Sequence, residues 1–349
     1  MNEKDRLYEY KREELEELFD RWGEPGYRAD QVWEWLYIHL ATDFRQMTNL
    51  PKELRARLTD EVRIGVPEVV ATQRSSDGRT RKDLLRLDDG ETVETVLMRY
   101  EDRRTACIST QIGCSIGCDF CATGQMGFQR DLTTGEIVAQ VLHFARVLEE
   151  QDDRLTNVVL MGMGEPLLNY DASVGAIYRL IDPDGFRFGQ RRITLSTVGI
   201  VPNIRRLAKE ELQITLAISL HAATDDLRDR LVPINRRYNL EELFRACFDY
   251  VERTGRRVSF EWVLIEGVND TPAQAKALAA RLAGLLAHVN LIPLNPTPEY
   301  DERPPSQERI QAFTNELDHR GVSYTIRVRR GINIRAGCGQ LRQRKSGQT

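Results

Sequence analysis

The sequence has no long hydrophobic run. Its longest apolar stretches, 158–163 and 289–294, are strand-sized, far short of the roughly 18–20 residues a membrane-spanning helix needs. The start of the chain is dense in Glu, Lys and Arg and has no apolar core. That excludes a secretory signal and predicts a soluble, cytoplasmic protein with no membrane partner. No repeat in the solenoid range and no low-complexity segment stands out, so a solenoid or a disordered chain is not expected. Strong net charge is missing too. The balance of −4 says nothing by itself for or against nucleic acid, but its distribution is uneven. From residue 325 to the end there are seven basic residues, Arg327, Arg329, Arg330, Arg335, Arg342, Arg344 and Lys345, and no acid. Such a run reads either as a solvated tail or as a local patch for phosphates.

The 349 residues leave room for one large domain or a large and a small one. To about residue 65 the pattern is helical. Leu7, Leu15, Leu18 and Phe19 recur at helical spacing, as do Trp33, Leu36, Tyr37 and Leu40, and Asp30 is the expected cap of the second helix. A short helix follows Pro51. Two extended runs, 82–87 and Thr92–Arg99, flank Asp88-Asp89-Gly90 and predict a β-hairpin. After it, strand-like runs at 105–110, 157–161, 192–197, 214–220, 258–265, 289–293 and 323–328 alternate with helical ones. Thr133 with Glu136, Asn239, Thr271 followed by Pro272, and Ser306 mark helix starts; Gly255 and Gly321 mark ends. This is an α/β pattern of βα units, doubly wound or curled into a full or partial barrel. In either case the chemistry belongs just past the C-terminal ends of the strands.

Cysteines are few and clustered. Cys107, Cys114, Cys118 and Cys121 fall close together, while Cys247 and Cys338 stand apart. Without a signal peptide, such clustering points to metal or redox chemistry rather than a disulfide framework. After the first strand of the repeat the chain reads Gly113-Cys114-Ser-Ile-Gly117-Cys118-Asp-Phe-Cys121, a C-x3-C-x2-C spacing. Zinc sites usually add a second, distant cysteine pair, and none exists here. Three thiolates on one glycine-bearing loop also suit a four-iron cluster with one iron left open. A closed zinc site completed by Cys107 or Cys338 is the competing reading. Cys247 lies on an apolar helix face and reads as core. Trp33, Trp35 and Tyr37 read as mixed core and surface, with an RNA-stacking platform as the weaker alternative.

This cysteine spacing resembles that of the radical S-adenosylmethionine enzymes. Further motifs are Gly162-Met-Gly-Glu-Pro-Leu-Leu-Asn169, Leu195-Ser196-Thr197, Ser219-Leu220-His221, Val232-Pro-Ile-Asn235, Asn290-Leu-Ile-Pro-Leu-Asn295 and Ala336-Gly-Cys338-Gly-Gln-Leu341. Together they resemble the RlmN/Cfr family of RNA adenine methyltransferases along nearly the whole chain. The segment 331–337 departs from the resemblance, since an Asp-x-Asp-Ala-Ala type sequence is expected there. The resemblance implies a partial (βα) barrel of the radical S-adenosylmethionine type. It implies an N-terminal helical RNA-binding module over 1–70, a hairpin linker over 71–104, the core over 105–335, and the Cys338 loop with a basic tail over 336–349. It also implies a [4Fe-4S] cluster on Cys114, Cys118 and Cys121. S-adenosylmethionine would be bound by Gly164, Glu165, Ser196, Ser219, Leu220, His221 and Asn295, two molecules being used per turnover.

The resemblance further implies that Cys338 is methylated by one S-adenosylmethionine and that a radical from the second abstracts hydrogen from the S-methyl group. The carbon then adds to adenine, leaving a covalent protein–RNA adduct. Cys107 helps remove the ring proton and resolves the adduct by forming a disulfide with Cys338. Glu94 matches a family acid near the target base, where an exposed strand carboxylate is the plain alternative. The implied substrates are an adenosine in the peptidyl-transferase region of 23S rRNA and the tRNA adenosine beside the anticodon, both methylated at C2. Electrons would come from a donor such as flavodoxin or ferredoxin, and the enzyme would act as a monomer. The alternatives are C8 methylation of the same rRNA base, with antibiotic resistance as its consequence, and a zinc-stabilised RNA-binding protein without catalysis. Pro166 resembles the C2 branch.

Overall fold

The computed structural model describes residues 4–327 and 331–341. The chain opens with strand β1 (Asp5–Arg6), helices α1 (Arg12–Arg21), α2 (Tyr27–Tyr37) and α3 (Lys52–Glu61), and strand β2 (Val62–Arg63), which pairs in parallel with β1. The helices bury the stripes that their spacing predicts: Leu15, Leu18 and Phe19, then Val32, Trp33, Leu36 and Tyr37, then Leu54 and Leu58. Asp30 is not a cap. α2 begins at Tyr27 behind Gly26, and Asp30, one turn inside, accepts from Arg12 instead (Nε–Oδ1 2.9 Å).

Strands β3 (Glu68–Arg74), β4 (Thr80–Arg86) and β5 (Thr92–Arg99) follow. The expected hairpin is β4 and β5, but a third strand joins it. All three are antiparallel and continue into the main sheet through β6 (Arg104–Ile108). β3 escapes a hydrophobic reading because it is an exposed edge, with Glu68, Thr72, Gln73 and Arg74 along it, as edge strands tolerate. A small ribbon, β7 (Gln111–Gly113) with β8 (Phe128–Asp131), and the short helix α4 (Ala122–Gln125) bracket the cysteine loop.

The repeat then runs α5 (Thr134–Glu149), β9 (Asn157–Leu160), α6 (Tyr170–Ile181), β10 (Ile193–Thr197), α7 (Val201–Leu207), β11 (Thr215–Ser219), α8 (Asp225–Leu231), α9 (Leu240–Thr254), β12 (Val258–Leu264), α10 (Pro272–Leu282), β13 (Ala287–Pro293), α11 (Gln307–His319) and β14 (Tyr324–Ile326). Thr133, Asn239, Thr271 and Ser306 each accept a backbone N–H of the first helical turn. The ten strands form one sheet in the order β14-β13-β12-β11-β10-β9-β6-β5-β4-β3. From β6 to β14 neighbours are parallel and follow chain order without reversal. Right-handed crossovers then put the helices that connect these strands on one face. That excludes a doubly wound sheet and leaves the partial barrel.

The N-terminal module docks on α6. Arg179 lies over the Trp33 ring, 4.8 Å from its centroid, and donates to the Tyr37 hydroxyl at 3.0 Å, while Trp33 Nε1 donates to Asp182 at 3.0 Å. Trp33 and Tyr37 are therefore core, not a stacking platform. Among the described residues no helix is long and apolar enough to cross a membrane.

Candidate active site

A cavity of about 1080 Å³, counting its open mouth, lies at the C-terminal ends of the parallel strands. Its wall includes Cys114, Cys118, Cys121, Gly164, Glu165, Ser196, Ser219, His221, Asn295 and Cys338. Leu220, Cys107 and Glu94 are not part of that wall. Leu220 is fully buried and acts through its backbone, donating to Glu261 O at 3.0 Å.

The cysteine loop is built by β7. Gly113 has φ +76°, and a Cβ there would sit 1.9 Å from Gly127 O, the atom to which Cys114 N donates at 2.9 Å. Only a glycine permits that contact. Burial pushes the Cys114 thiol up to about 12 and Cys118 well above its usual range, and the negative charge of Glu165 and of neighbouring loop cysteines pushes both further. Among the described residues no three His, Cys, Asp or Glu side chains are drawn close enough to ligate a single ion. The thiols share one cavity wall instead. Three thiols on one wall, two of them, Cys114 and Cys118, held un-ionised by burial, are a donor set that needs a strongly cationic group. An iron–sulfur cluster fits that need, because metal binding deprotonates its ligating thiols.

Opposite stands the shelf from Gly162 onward. Gly164 has φ +99°, and a Cβ there would meet Gln111 Cβ at 2.5 Å; Gln111 Oε1 in turn accepts from Glu165 N at 2.8 Å. The Glu165 carboxylate accepts from Leu167 N at 2.9 Å and Val198 N at 2.8 Å. Burial pushes its pKa up to about 7 against those hydrogen bonds. A carboxyl so placed gains most from a cationic ligand group, such as an ammonium. The Ser196 and Ser219 hydroxyls meet at 3.3 Å across β10 and β11. His221 is held neutral by burial and then by the charge of Arg228, its pKa falling to about 3. Its Nδ1 accepts from Val263 N at 3.0 Å, which assigns the ring proton to Nε2, and its ring meets Phe120 of the cysteine loop edge-on at 4.8 Å. Asn295 Oδ1 is buried without a hydrogen-bond partner.

The Cys338 loop closes the cavity from the far end of the chain. Several long-range bonds seat it: Asn295 Nδ2 to Cys338 O (3.1 Å), Thr123 Oγ1 to Leu341 O (2.6 Å), Gln340 Nε2 to Pro296 O (2.8 Å), Ala122 N to Gly339 O (2.8 Å) and Lys82 Nζ to Arg335 O (3.2 Å). Cys338 is exposed to the cavity and Cys107 is buried behind it. Burial pushes the Cys107 thiol up, and ionised Cys338 adds to this, while Arg327 opposes it. Both cysteines are free, so the disulfide implied between them is not formed, and all six cysteines are free thiols. Glu94 is neither exposed nor on the cavity wall. It is 2% accessible and paired with Lys82, itself 3% accessible, at 2.8 Å. Cys247 is core, as its helix face predicts.

Of the basic C-terminal run, Arg329, Arg330, Arg342, Arg344 and Lys345 lie outside the described residues. Arg327 turns towards Glu261 (3.6 Å). Glu261 itself went unnoticed in the sequence, since one acid in the run 258–265 reads as a strand's polar face. The whole of β12 is buried, however, and Glu261 reaches the cavity wall, held by Asn290 Nδ2 at 2.7 Å. Arg228 was missed too. It reads as a solvated residue of a charged helix, yet it is 0% exposed. Burial pushes its pKa down to about 10, which leaves it protonated at neutral pH.

The comparisons agree with this geometry. The Radical SAM superfamily model matches residues 108–278, and the ribosomal RNA large subunit methyltransferase N-terminal domain matches residues 6–64. The chain is 53% identical over 336 residues to the dual-specificity RNA methyltransferase RlmN 1 of Myxococcus xanthus, covering 96% of this chain and 94% of the relative. It is 47% identical over 344 residues to the ribosomal RNA large subunit methyltransferase N of Nitrosopumilus maritimus, covering 96% and 98%. A crystal structure of a radical SAM methyltransferase from Sphaerobacter thermophilus superposes with a TM-score of 0.95 at 53% identity, covering 97% of this chain and 99% of that one. Family membership implies a [4Fe-4S] cluster and S-adenosylmethionine as cofactors and RNA as substrate. Such identity along almost the full length, over a cavity lined by three loop cysteines, means that this chain belongs to the RlmN family of radical S-adenosylmethionine RNA methyltransferases.

Proposed function

We propose that this enzyme methylates C2 of adenine, in the peptidyl-transferase region of 23S rRNA and in the tRNA adenosine beside the anticodon, through a methyl group carried on Cys338. The observation that carries the reading is the Cys338 thiol opening into the cavity lined by Cys114, Cys118 and Cys121, with Cys107 close enough to feel its charge. The names of the relatives, one a dual-specificity RNA methyltransferase and one a ribosomal RNA large subunit methyltransferase, support the two RNA substrates. Cys114, Cys118 and Cys121 hold the cluster, and Glu165 beside Gly164 accepts from the amino group of the cofactor. Ser196, Ser219, Leu220, His221 and Asn295 surround the rest of the cofactor. When bound, the cluster and two S-adenosylmethionines supply one methyl group and one hydrogen-abstracting radical.

The chain's own residues do the remainder. Adenine C2 is an electron-poor amidine carbon and cannot attack a methyl donor, so the carbon must be delivered to it. Cys338, as thiolate, takes up the methyl group and carries the carbon to the base. Cys107 helps remove the ring proton, the odd electron left by radical addition would pass back to the cluster, and the Cys107 thiolate then attacks the Cys338 sulfur. The sulfur–carbon bond breaks, its electron pair leaves with the methylated base, which takes up a proton, and a Cys107–Cys338 disulfide forms. Glu94, held by Lys82, is the acid near the base. Residues 1–70 and the basic tail within 336–349 grip folded RNA by shape and phosphate contacts. A flavodoxin or ferredoxin supplies electrons to a cytoplasmic monomer.

The test is to supply Cys107→Ala with RNA and cofactor, digest it, and search the Cys338 peptide for a nucleotide by mass spectrometry. The adduct is expected there, and Cys338→Ala should carry neither methyl nor RNA. A folded, iron-loaded and adduct-free Cys107→Ala protein would overturn the two-cysteine route. C8 methylation is the second reading, disfavoured by Pro166. Nucleoside mass spectrometry of the product separates 2- from 8-methyladenosine. A colourless protein with one zinc, in place of a brown one, would restore the non-catalytic reading.

A further inference from the structure

Arg228 is a long cation buried completely, and every hydrogen bond it makes goes to a neutral oxygen. Its Nε donates to Leu220 O (3.0 Å) and its Nη2 to Val198 O (2.5 Å) and Ser219 O (3.2 Å). Its Nη1 donates to Asn235 Oδ1 (3.0 Å). Among the described residues no carboxylate lies within salt-bridge distance of it. The nearest acids are one layer away, where Asn235 Nδ2 donates to Asp225 (3.0 Å) and Asp229 (2.6 Å). A buried charge without an ionic partner is costly, and a counter-charge brought into the neighbouring cavity would offset that cost.

Two features say where that counter-charge belongs. Val198 and Ser219 are on the cavity wall, so the guanidinium fastens the ends of β10 and β11 from behind. Leu220, whose carbonyl Arg228 holds, is followed by His221, whose ring meets Phe120 of the cysteine loop at 4.8 Å. The cation therefore stands behind the part of the cavity wall that meets the cysteine loop through His221.

We propose that Arg228 is a built-in counter-cation of the cluster site: it fixes the ends of β10 and β11 and lends positive charge to the cluster ligated beside Cys118. It is a positioning residue, acting through the strand ends and through its field, not on substrate. This rests on the reading that Cys114, Cys118 and Cys121 hold the cluster. A cation near an iron–sulfur cluster favours the reduced form, since net charge is one of the levers on its potential. Asp225 and Asp229 temper that effect from the other side.

The experiment is a redox titration of the cluster in the full chain, reconstituted anaerobically, without cofactor or RNA. Arg228→Gln should make reduction about tenfold less favourable, which for a one-electron couple is about 59 mV lower. Arg228→Lys keeps the charge and should stay near the parent midpoint. Asp229→Asn, which leaves every Arg228 hydrogen bond in place, should raise the midpoint. Opposite signs from these two sites cannot come from general loosening of the fold. An unmoved midpoint in Arg228→Gln, or a fall in Arg228→Lys as large as in Arg228→Gln, overturns the proposal. If Arg228→Gln does not fold, Asp229→Asn decides alone, and no rise overturns it. A parent protein that takes up no cluster would instead sink the reading of the three cysteines.

Discussion

Two cysteine-bearing loops meet at the cavity and are held in opposite ways. The loop from Cys114 to Cys121 is fixed locally. The β7–β8 ribbon pins its start, Cys114 N donates to Gly127 O, and Cys121 N donates to Cys118 O at 3.1 Å. The Cys338 loop is held by remote partners: Lys82 on β4, Ala122 and Thr123 at α4, and Asn295 and Pro296 after β13. A loop that must present three thiols in one fixed arrangement gains from local rigidity. On the proposed route the Cys338 sulfur moves between a methyl donor and a base, and such a loop gains from many separate, individually breakable bonds, each worth about 1 kcal/mol. Stability is thus distributed in keeping with the role proposed for each loop.

The sharpest way to break this contrast is at Gly113. Gly113→Ala drives a methyl to 1.9 Å from Gly127 O and adds left-handed strain. The expected cost is about 2–4 kcal/mol, from overpacking and the positive φ together. Iron content after reconstitution should collapse, while hydrogen exchange over 331–341 should barely change. Full iron loading in Gly113→Ala would mean that the loop is less locally fixed than its contacts imply.

The middle test is at Gln340, whose side chain accepts from Gly337 N at 3.0 Å and donates to Pro296 O at 2.8 Å. Gln340→Ala removes two of the loop's bonds, so local opening should become about tenfold or more easier. Exchange across 331–341 should rise by that factor with iron content and melting temperature nearly intact. A large drop in melting temperature would show that the loop is a structural keystone, not a separately hinged part.

Much of this architecture was legible in the chain. The strand-sized runs became β9 to β13, Thr133, Asn239, Thr271 and Ser306 capped their helices, and the motif residues fell at strand ends around one cavity. Periodicity and capping are local, so they survive without a structure. Burial of charge does not. Arg228 sits in a helix of sequence Asp-Asp-Leu-Arg-Asp-Arg-Leu, where four of its six neighbours are charged and invite a solvated reading. Lys82 and Glu94 meet only because β4 and β5 pair Leu84 with Glu94 and Lys82 with Val96, making the two charges diagonal neighbours. Glu261 looked like the polar side of a strand that turns out to have none. In each case the missing knowledge was register or tertiary packing, which no single segment contains.

The smallest expected effect links the remote seat of the Cys338 loop to pH. Asp83 follows Lys82 on β4, is 0% exposed, and accepts from Thr72 (2.7 Å) and Arg81 (2.9 Å) and meets His143 on α5 at 2.7 Å. Burial opposes its ionisation, but the bonds from His143, Arg81 and Thr72 outweigh it and hold the carboxyl below the usual range. Because the folded pKa is the lower one, this contribution is full above the unfolded value of about 3.9 and is lost as pH falls through the folded one. The melting-temperature gap between the parent and Asp83→Asn should therefore be widest near neutrality and shrink below about pH 4. The loop that leans on β4 should feel this before the cysteine loop does. Exchange over 331–341, corrected for intrinsic rate, should rise on acidification ahead of exchange over 113–121. If Asp83→Asn leaves the gap constant across that range, the carboxylate is not ionised against its burial, and β4 is anchored by its strand pairing alone.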